Sequence, residues 1–201
     1  MANTNSPFGL RPLGIYGAAQ PTFQLQAWKV ASGNTHGLYR GDPLIRLNTG
    51  YVDYWVNGQP ASYLVGVFWG AKYLSTALGR TTQNTFWPGN DATTDGTTYV
   101  IPCDSFPGAL FAIQANSATT PIALSDVGKN ADIVLGTGSI KGGSLGISGA
   151  TLGVPTTTAT LPFRVVGLLS DYFPAGTPGT DNTTPYNIAV VTPNTAQMTG
   201  I

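Results

Sequence analysis

The stretch SDVGKNADIVLGTGSIKGGSLGISGATLGVPTTTATLPFRVVGLLSD, residues 125–171, decides the fold that this sequence predicts. Its last part, residues 160–169, reads as a strand that is apolar on both faces and is interrupted by Arg164 and Gly167. The apolar residues are Leu161, Phe163 and Val165 on one face and Pro162, Val166 and Leu168 on the other. Such a run is typical of a strand covered on both sides. We therefore expect this strand to close the core, with Phe163 inside it.

The residues ahead of this strand also favour β-structure. Residues 131–135 form a short apolar run, and residues 136–153 are rich in Gly and Ser with single aliphatic residues between them. This pattern indicates short strands that meet at tight bends. Nothing in residues 125–171 has the periodicity of a helix.

The composition extends this interpretation to the whole chain. The 201 residues include 26 Gly and 15 Pro but no Glu, and Thr, Val and aromatic residues are plentiful. This balance favours strands and turns, and we predict one all-β domain, a sandwich or barrel of jelly-roll or tulip-like type. A hydrophobic content of 42% is sufficient for a real core.

The charge content limits the partners. Only 9% of the residues are charged, against about a quarter in typical proteins, and the formal net charge is zero. A neutral chain does not favour direct binding of nucleic acid or of an anionic membrane. Few charges also protect a protein poorly against self-association. A secreted or thermally hardened β-protein fits this composition, but we favour a protein that works in an assembly.

We divide the chain into three parts. Residues 1–21 contain three prolines and five large apolar side chains, which indicates an extended N-terminal arm docked along a surface rather than a disordered leader. Residues 22–192 form the β domain, and residues 193–201 a polar C-terminal tail. Residues 73–96 are irregular and predict a long exposed excursion that carries Phe86 and Trp87.

The strands of the domain follow from local patterns. Residues 22–30 alternate, which places Phe23, Leu25 and Ala27 on one face and Gln24, Gln26 and Trp28 on the other. Further strands are predicted at 43–47, 51–56, 63–69, 97–102, 109–115 and 186–192. Asn57-Gly58 predicts a hairpin between the second and third of these.

No set of residues predicts catalysis, and we expect no cofactor and no metal. Residues 142–146, GGSLG, match the nucleophile elbow, but no helix pattern follows and no histidine occurs after His36. His36 is interpreted as a loop residue, and Asp126 and Asp132 as local turn caps. With one cysteine no disulfide can form within the chain. We expect His36, Ser144 and Cys103 to be dispensable.

The tryptophans leave one alternative open. Trp55 and Trp69 lie in predicted strands and suit a core or a subunit interface, whereas Trp28 and Trp87 fall where they could be exposed. Exposed aromatics of this kind could stack on sugar rings, which would suit a carbohydrate-binding module.

A series of short motifs resembles a known family. The motifs are Pro7 to Pro12 (PFGLRP), Gly41-Asp42, Val65-Gly66-Val67, residues 126–133 (DVGKNADI) and residues 160–168 (TLPFRVVGL). In this order and spacing they resemble the small cement or decoration proteins of tailed bacteriophage heads. The resemblance runs from residue 1 to about residue 192 and does not extend to the final segment.

The resemblance implies a structural virion protein rather than an enzyme. With it, the alternative left open by the tryptophans becomes a virion surface module that binds a host glycan or receptor through exposed aromatics. Such proteins bind the outside of the shell of major capsid protein and bridge neighbouring subunits, which stabilises the head against internal DNA pressure. They are commonly homotrimers, and dimers are also known. Residues 1–12 lack the pattern of a signal peptide, so we expect synthesis in the host bacterial cytoplasm and a final position on the capsid exterior.

The predicted contacts with the capsid or with a neighbouring subunit come from two segments. An extended apolar arm can reach a neighbour, which indicates Phe8, Leu10 and Arg11. The excursion contributes Phe86 and Trp87.

Overall fold

The computed structural model describes residues 2–15, 25–56, 58, 63–103, 108–136 and 146–194. Within these residues the regular structure consists of β-strands, together with short 3₁₀ turns such as Leu124–Asp126 and Leu169–Asp171. The strands form antiparallel sheets that pack together as a β-sandwich. The all-β prediction is confirmed.

Two large sheets contain most of the strands. A five-stranded sheet has the order β1-β10-β15-β14-β11, and a six-stranded sheet has the order β2-β9-β6-β4-β5 with β7 paired to β6. The other strands form two ribbons, which are two-stranded antiparallel sheets: β3-β8 and β12-β13. The strands are β1 (Arg11–Ile15), β2 (Gln26–Val30), β3 (Leu38–Tyr39), β4 (Pro43–Arg46), β5 (Val52–Tyr54), β6 (Leu64–Ser75), β7 (Arg80–Asn84), β8 (Phe86–Trp87), β9 (Gly96–Pro102), β10 (Ala109–Gln114), β11 (Asn130–Ala131), β12 (Ile133–Val134), β13 (Thr151–Leu152), β14 (Phe163–Leu168) and β15 (Ile188–Pro193).

The main core joins the two large sheets. Phe111, Phe163 and Val191 enter it from the five-stranded sheet, and Val67 and Ile101 from the six-stranded sheet. All five side chains are essentially inaccessible to solvent. Burial of apolar area on this scale is the dominant stabilising contribution in a fold without disulfides.

A second core draws on the same six-stranded sheet. It combines Leu44, Phe68 and Val100 of that sheet with Leu38 and Trp87 of the β3-β8 ribbon. Its members differ from those of the main core, although the same strands supply both. The centre of the six-stranded sheet is therefore covered on both faces.

Strand β14 is not covered on both sides, which corrects the prediction. Phe163 and Val165 are fully buried as expected for core residues, but Arg164 is exposed and Val166 only half-buried. A β-bulge between Val165 and Gly167 in the pairing with β15 then returns Leu168 to the main core. Since a bulge shifts the alternation by one residue, apolar residues that appear to lie on opposite faces share one face here.

Strand β2 buries the face that carries Trp28 rather than the more apolar face that carries Leu25 and Ala27. Val30 is buried and Trp28 half-buried, whereas Ala27 is exposed and Leu25 is 41% exposed. Phe23, which the alternation places on the same face as Leu25 and Ala27, lies outside the described residues. A shift of one residue in an alternating strand exchanges its two faces completely.

Two predicted connections also differ from the structure. Strands β5 and β6 both pair with β4, on its opposite sides, so they do not form the predicted hairpin with each other. Asn57 itself lies outside the described residues. Residues 73–96 are more regular than predicted, because β6 continues to Ser75 and β7 pairs back onto it, although residues 76–81 are exposed as expected. The predicted turn at residues 105–107, the segment 137–145 and the tail from residue 195 lie outside the described residues.

The N-terminal segment packs on its own domain. Leu10 is 1% exposed and belongs to the main core, and β1 is the edge strand beside β10. From residue 10 onward, this segment is therefore part of the domain's own core and sheet rather than an arm that reaches a neighbour. Residues 16–21 lie outside the described residues.

Candidate interaction site

Three segments cross at a tightly packed point, here called the glycine junction and defined by Gly9, Gly41 and Ser148. Gly9 and Gly41 have φ angles of +71° and +101°, a region that other residues rarely adopt. A Cβ atom on Gly9 would lie 2.5 Å from Cβ of Ser148 and 2.6 Å from the carbonyl oxygen of Gly41. Glycine is thus required both for its conformation and for the close approach of the backbones.

Backbone hydrogen bonds connect the glycine junction to the six-stranded sheet. The Leu10 amide donates to the Gly41 carbonyl over 2.9 Å, and the Gly41 amide donates to the Phe68 carbonyl over the same distance. The Arg40 amide donates to the Gly146 carbonyl at 2.8 Å. The N-terminal segment is therefore held in register against β6.

Asp42 is a buried carboxylate beside this junction. It accepts a hydrogen bond from the Tyr39 amide at 2.7 Å and another from the Ser148 hydroxyl. Burial raises the pKa of Asp42 to about 6, and these two hydrogen bonds oppose the increase. Asp42 thereby ties the segment that contains Ser148 to the turn between β3 and β4.

A groove of about 360 Å³, here called the arginine groove, opens next to the junction. The Cζ atom of Arg40 lies 3.6 Å from the ring centroid of Trp69, and that of Arg11 lies 4.5 Å from the ring of Phe8. Both are cation–π distances. The lining residues are Phe8, Leu10, Arg11, Pro12, Arg40, Gly41, Trp69 and Ile147.

The arginine groove has no carboxylate partner within the described residues. The ion pairs there join His36 to Asp53 and Lys129 to Asp126, and neither involves Arg11 or Arg40. Two positive groups therefore face one groove in a chain whose formal net charge is zero. A surface of this kind attracts anionic groups.

The structure brings together only some of the predicted site residues. Phe8 is half-buried and Arg11 exposed, and both line the arginine groove. Phe86 is half-buried opposite Tyr39 in the β3-β8 ribbon. A contact of these three side chains with a neighbour stays a prediction.

Leu10 and Trp87 require a correction. Leu10 lies in the main core, and Trp87 is fully buried in the second core, where its ring meets that of Tyr73 edge-on at 5.1 Å. Neither side chain has exposed surface to offer a neighbour. Trp87 was expected in an exposed excursion, but the pairing of β3 with β8 turns it inward.

Sequence reasoning missed Arg40 and Trp69 as partners in a site. Trp69 was interpreted as a core or interface residue, and Arg40 precedes the Gly41-Asp42 motif without itself forming a pattern. The two residues are 29 positions apart along the chain, and only the pairing of the glycine junction with β6 places them together. No local signal links them.

His36 lies in a loop, as predicted. Its Nδ1 atom is 3.2 Å from Oδ1 of Asp53, and its ring is 4.1 Å from the ring of Tyr54. Asp53 also accepts hydrogen bonds from the Asn34 side chain at 2.9 Å and from the Tyr54 amide at 2.7 Å. These contacts hold the loop that contains Asn34 and His36 against β5.

The predicted turn caps are confirmed in part. Asp126 accepts a hydrogen bond from the Ala123 amide at 2.9 Å and forms an ion pair with Lys129 at 2.8 Å. Asp132 accepts from the Ile133 amide, but it also accepts from the Gly58 amide at 2.8 Å. Asp132 lies between β11 and β12 and connects distant segments rather than capping a turn.

The described residues contain no group of three or more His, Cys, Asp or Glu side chains that could hold a metal ion. Within the same part of the chain, no helix is long and apolar enough to cross a membrane. Cys103 is buried in the main core, and Ser144 lies outside the described residues.

Comparison of the chain with known protein families, with curated proteins and with solved structures gave no match.

Proposed function

We propose that this protein is a structural component of a bacteriophage head. It binds the outer surface of the shell formed by the major capsid protein, and it cements neighbouring capsid subunits against the pressure of packaged DNA. The protein acts as a homo-oligomer, a trimer or a dimer, and binds neither nucleic acid nor membrane directly. The proposal includes no catalytic step.

The observation that carries this proposal is the weakly charged, partly apolar surface. Ten large hydrophobic side chains among the described residues are exposed, in a chain with only 9% charged residues. Tyr172 and Phe173 are adjacent in one loop, and Leu124 and Val127 lie in one turn. Exposed aromatic and apolar side chains on a surface with few charges are typical of surfaces that contact other proteins.

The positions of the motifs that resemble cement proteins support the proposal further. The segment PFGLRP crosses Gly41-Asp42 at the glycine junction, where Leu10 donates to Gly41. The segment DVGKNADI pairs with TLPFRVVGL, since β11 pairs with β14 and the Gly128 amide donates to the Val165 carbonyl at 2.8 Å. These motifs contact one another in the folded chain. A protein that has the same motifs in the same order could therefore make the same contacts, which is consistent with a fold like that of the cement proteins.

The glycan-binding alternative is weakened by the structure. It required exposed Trp28 or Trp87, but Trp87 is fully buried and Trp28 packs against the second core with part of its surface covered. No observation favours it as a second function.

Particles produced with and without this chain test the proposal. We expect purified particles to contain it in many copies, with density on the outside of the shell in a cryo-EM map. Particles that lack it should release DNA at a lower temperature in a dye-release assay. Absence of the chain from purified particles, together with an unchanged release temperature, would refute the proposal.

A pair of variants tests the surface itself. Tyr172→Ser with Phe173→Ser removes two exposed aromatic rings and should reduce the number of bound copies. Thr157→Ser with Thr158→Ser, in another exposed loop, is the matched control and should bind normally. Deletion of residues 2–15 is unsuitable as a test, because it would remove Leu10 from the main core and β1 from its sheet.

A further inference from the structure

We propose that the arginine groove binds a carboxylate on a partner polypeptide, an Asp or Glu side chain that is flanked by an apolar residue. This inference goes beyond the proposed function, since it names the chemistry of one contact and holds for a polypeptide partner in any assembly. Four features of the groove support it.

The first feature is the position of each guanidinium group over an aromatic ring. Arg40 lies 3.6 Å from the ring of Trp69 and Arg11 4.5 Å from the ring of Phe8. A guanidinium stacked on a ring keeps the N–H donors of its plane available for hydrogen bonds. Two such groups in one groove are oriented before a ligand arrives, which reduces the entropy lost on binding.

The second feature is the lack of an internal partner. The described carboxylates make hydrogen bonds elsewhere: Asp42 with Ser148, Asp53 with Asn34, Asp91 with Ser75, Asp95 with Tyr51, Asp126 with Lys129, Asp132 with Ile133, Asp171 with Leu168 and Asp181 with Thr183. None of them pairs with Arg11 or Arg40. The two positive charges are therefore available to a ligand from outside.

The third feature is the size and lining of the groove. Its volume of about 360 Å³ suits one or two side chains and not a whole secondary-structure element. The half-buried side chains of Pro12 and Ile147 give it apolar walls beside the two arginines. A carboxylate with an apolar neighbour matches both the charges and the walls.

The fourth feature is the geometry of carboxylate recognition. A planar guanidinium binds a carboxylate through two parallel N–H···O hydrogen bonds, which are stronger than bonds between neutral groups. A nucleic acid backbone would require more positive groups than these two. The groove thus favours a single carboxylate over a polyanion.

The test uses the full chain with isotope-labelled arginine and follows the Nε–H resonances of Arg11 and Arg40 by NMR. The probe is the peptide acetyl-Leu-Asp-Leu-amide, and its neutral control is acetyl-Leu-Asn-Leu-amide. We expect saturable shifts with the Asp peptide and none with the Asn peptide. Equal shifts with both peptides, or no saturable shift, would overturn the proposal.

Variants of Arg40 show whether binding of the Asp peptide requires the planar guanidinium group or only a positive charge. Arg40→Gln should lower the affinity for the Asp peptide by about ten- to hundredfold, as expected for loss of hydrogen bonds to a charged group. Arg40→Lys keeps the charge but loses the planar fork, and it should also weaken binding. Arg80→Gln, on the exposed strand β7, is the matched control and should bind normally. An Arg40→Lys variant with full affinity would show that the oriented guanidinium is not required and would overturn the proposal.

A final measurement distinguishes binding of a carboxylate from binding of other anions. Inorganic phosphate should shift the same resonances only at concentrations well above those of the Asp peptide. Tighter binding of phosphate would overturn the assignment to a carboxylate. Because none of these measurements involves a virus particle, failure here is distinct from failure of the proposed cement function.

Discussion

Strands β6 and β14 are both rich in apolar residues, but β6 is buried on both faces and β14 on only one. On β6, Leu64 and Val67 belong to the main core, whereas Val65 and Phe68 belong to the second core. On β14, every fully buried apolar side chain belongs to the main core, and the other face is partly exposed. The comparison shows that apolar residues along a strand do not by themselves reveal how many of its faces are covered.

The physical reason lies in the neighbours of each strand. Strand β6 is central in its sheet, between β9 and β4, and the β3-β8 ribbon packs over its second face with Trp87. Strand β14 lies between β15 and the two-residue strand β11, and the described residues place no second layer over its outer face. Bulges then adjust which residues face inward on both strands.

The largest expected effect concerns the core face of β14. Phe163→Ala should lower the free energy of unfolding by about 3–5 kcal/mol, because it opens a cavity in the main core. Single domains are commonly stable by only about 5–15 kcal/mol, so the variant should be largely unfolded at moderate temperature. Urea denaturation of the purified protein measures this. Parent-like unfolding would show that β14 is not central to the main core.

The next effect concerns Asp42, which lies where the glycine junction meets β6. Its pKa of about 6 in the folded protein exceeds the ordinary value of 3.8, so the folded state holds the proton more tightly than the unfolded state. This contribution to stability is present below pH 4 and is lost as the pH rises to about 6. A shift of about two pKa units corresponds to about 3 kcal/mol.

Asp42→Asn removes the titrating group and provides the comparison. Between pH 4 and pH 7, the unfolding free energy of the parent protein should fall relative to that of the variant. Parallel curves for the two proteins would contradict the buried, protonatable carboxyl group.

A series of valine variants tests the comparison of the two strands directly. Val65→Ala and Val67→Ala on β6 should each cost about 1.5–3 kcal/mol, because both side chains are buried although they lie in different cores. On β14, Val165→Ala should cost a similar amount, and Val166→Ala about 1 kcal/mol or less, because Val166 is only half-buried. Equal losses for Val165→Ala and Val166→Ala in urea denaturation would mean that β14 is covered on both faces after all.

A pair of glycine variants has the smallest expected effect. A Cβ atom on Gly66 of β6 would lie 2.2 Å from the carbonyl oxygen of Ile101, so the backbone of β9 would have to move. On Gly167 of β14 it would meet only the side chains of Asp171 and Tyr172, at 3.3 Å. Gly66→Ala should therefore cost about 1–3 kcal/mol, and Gly167→Ala clearly less.

Neither glycine has a left-handed φ angle, so this pair compares available space alone. Thermal melts of both variants measure the difference. Similar melting temperatures would argue against close packing of β6 on β9.

Much of the fold could be predicted from local patterns. Residues 97–102 and 109–115 correspond to β9 and β10, and residues 186–192 to β15, each within two residues at either end. Phe163 is in the main core as predicted. These predictions succeeded because Val, Ile, Thr and aromatic residues favour strands locally, and Gly and Pro favour their ends.

The candidate site could be predicted only in part. Phe8 and Arg11 were predicted as contact residues of the N-terminal arm, but the other residues of the groove, Arg40 and Trp69, were not predicted. Trp87 was placed on the surface because Pro, Gly, Asn and Thr surround it in sequence. The pairing of β8 with β3 turns it inward, and no local pattern encodes that pairing.

The sequence by itself determined the class of this protein: an all-β chain with little charge, whose strands and turns follow from local composition. Only the tertiary structure decided which faces of those strands are covered, where the bulges shift the alternation, and that Gly9, Gly41 and Ser148 meet at one point. Strand formation depends on residues close together in the chain, and these signals are visible in a single sequence. Coverage, close backbone approach and the stacking of Arg40 on Trp69 depend on segments far apart in the chain, which only folding brings into contact.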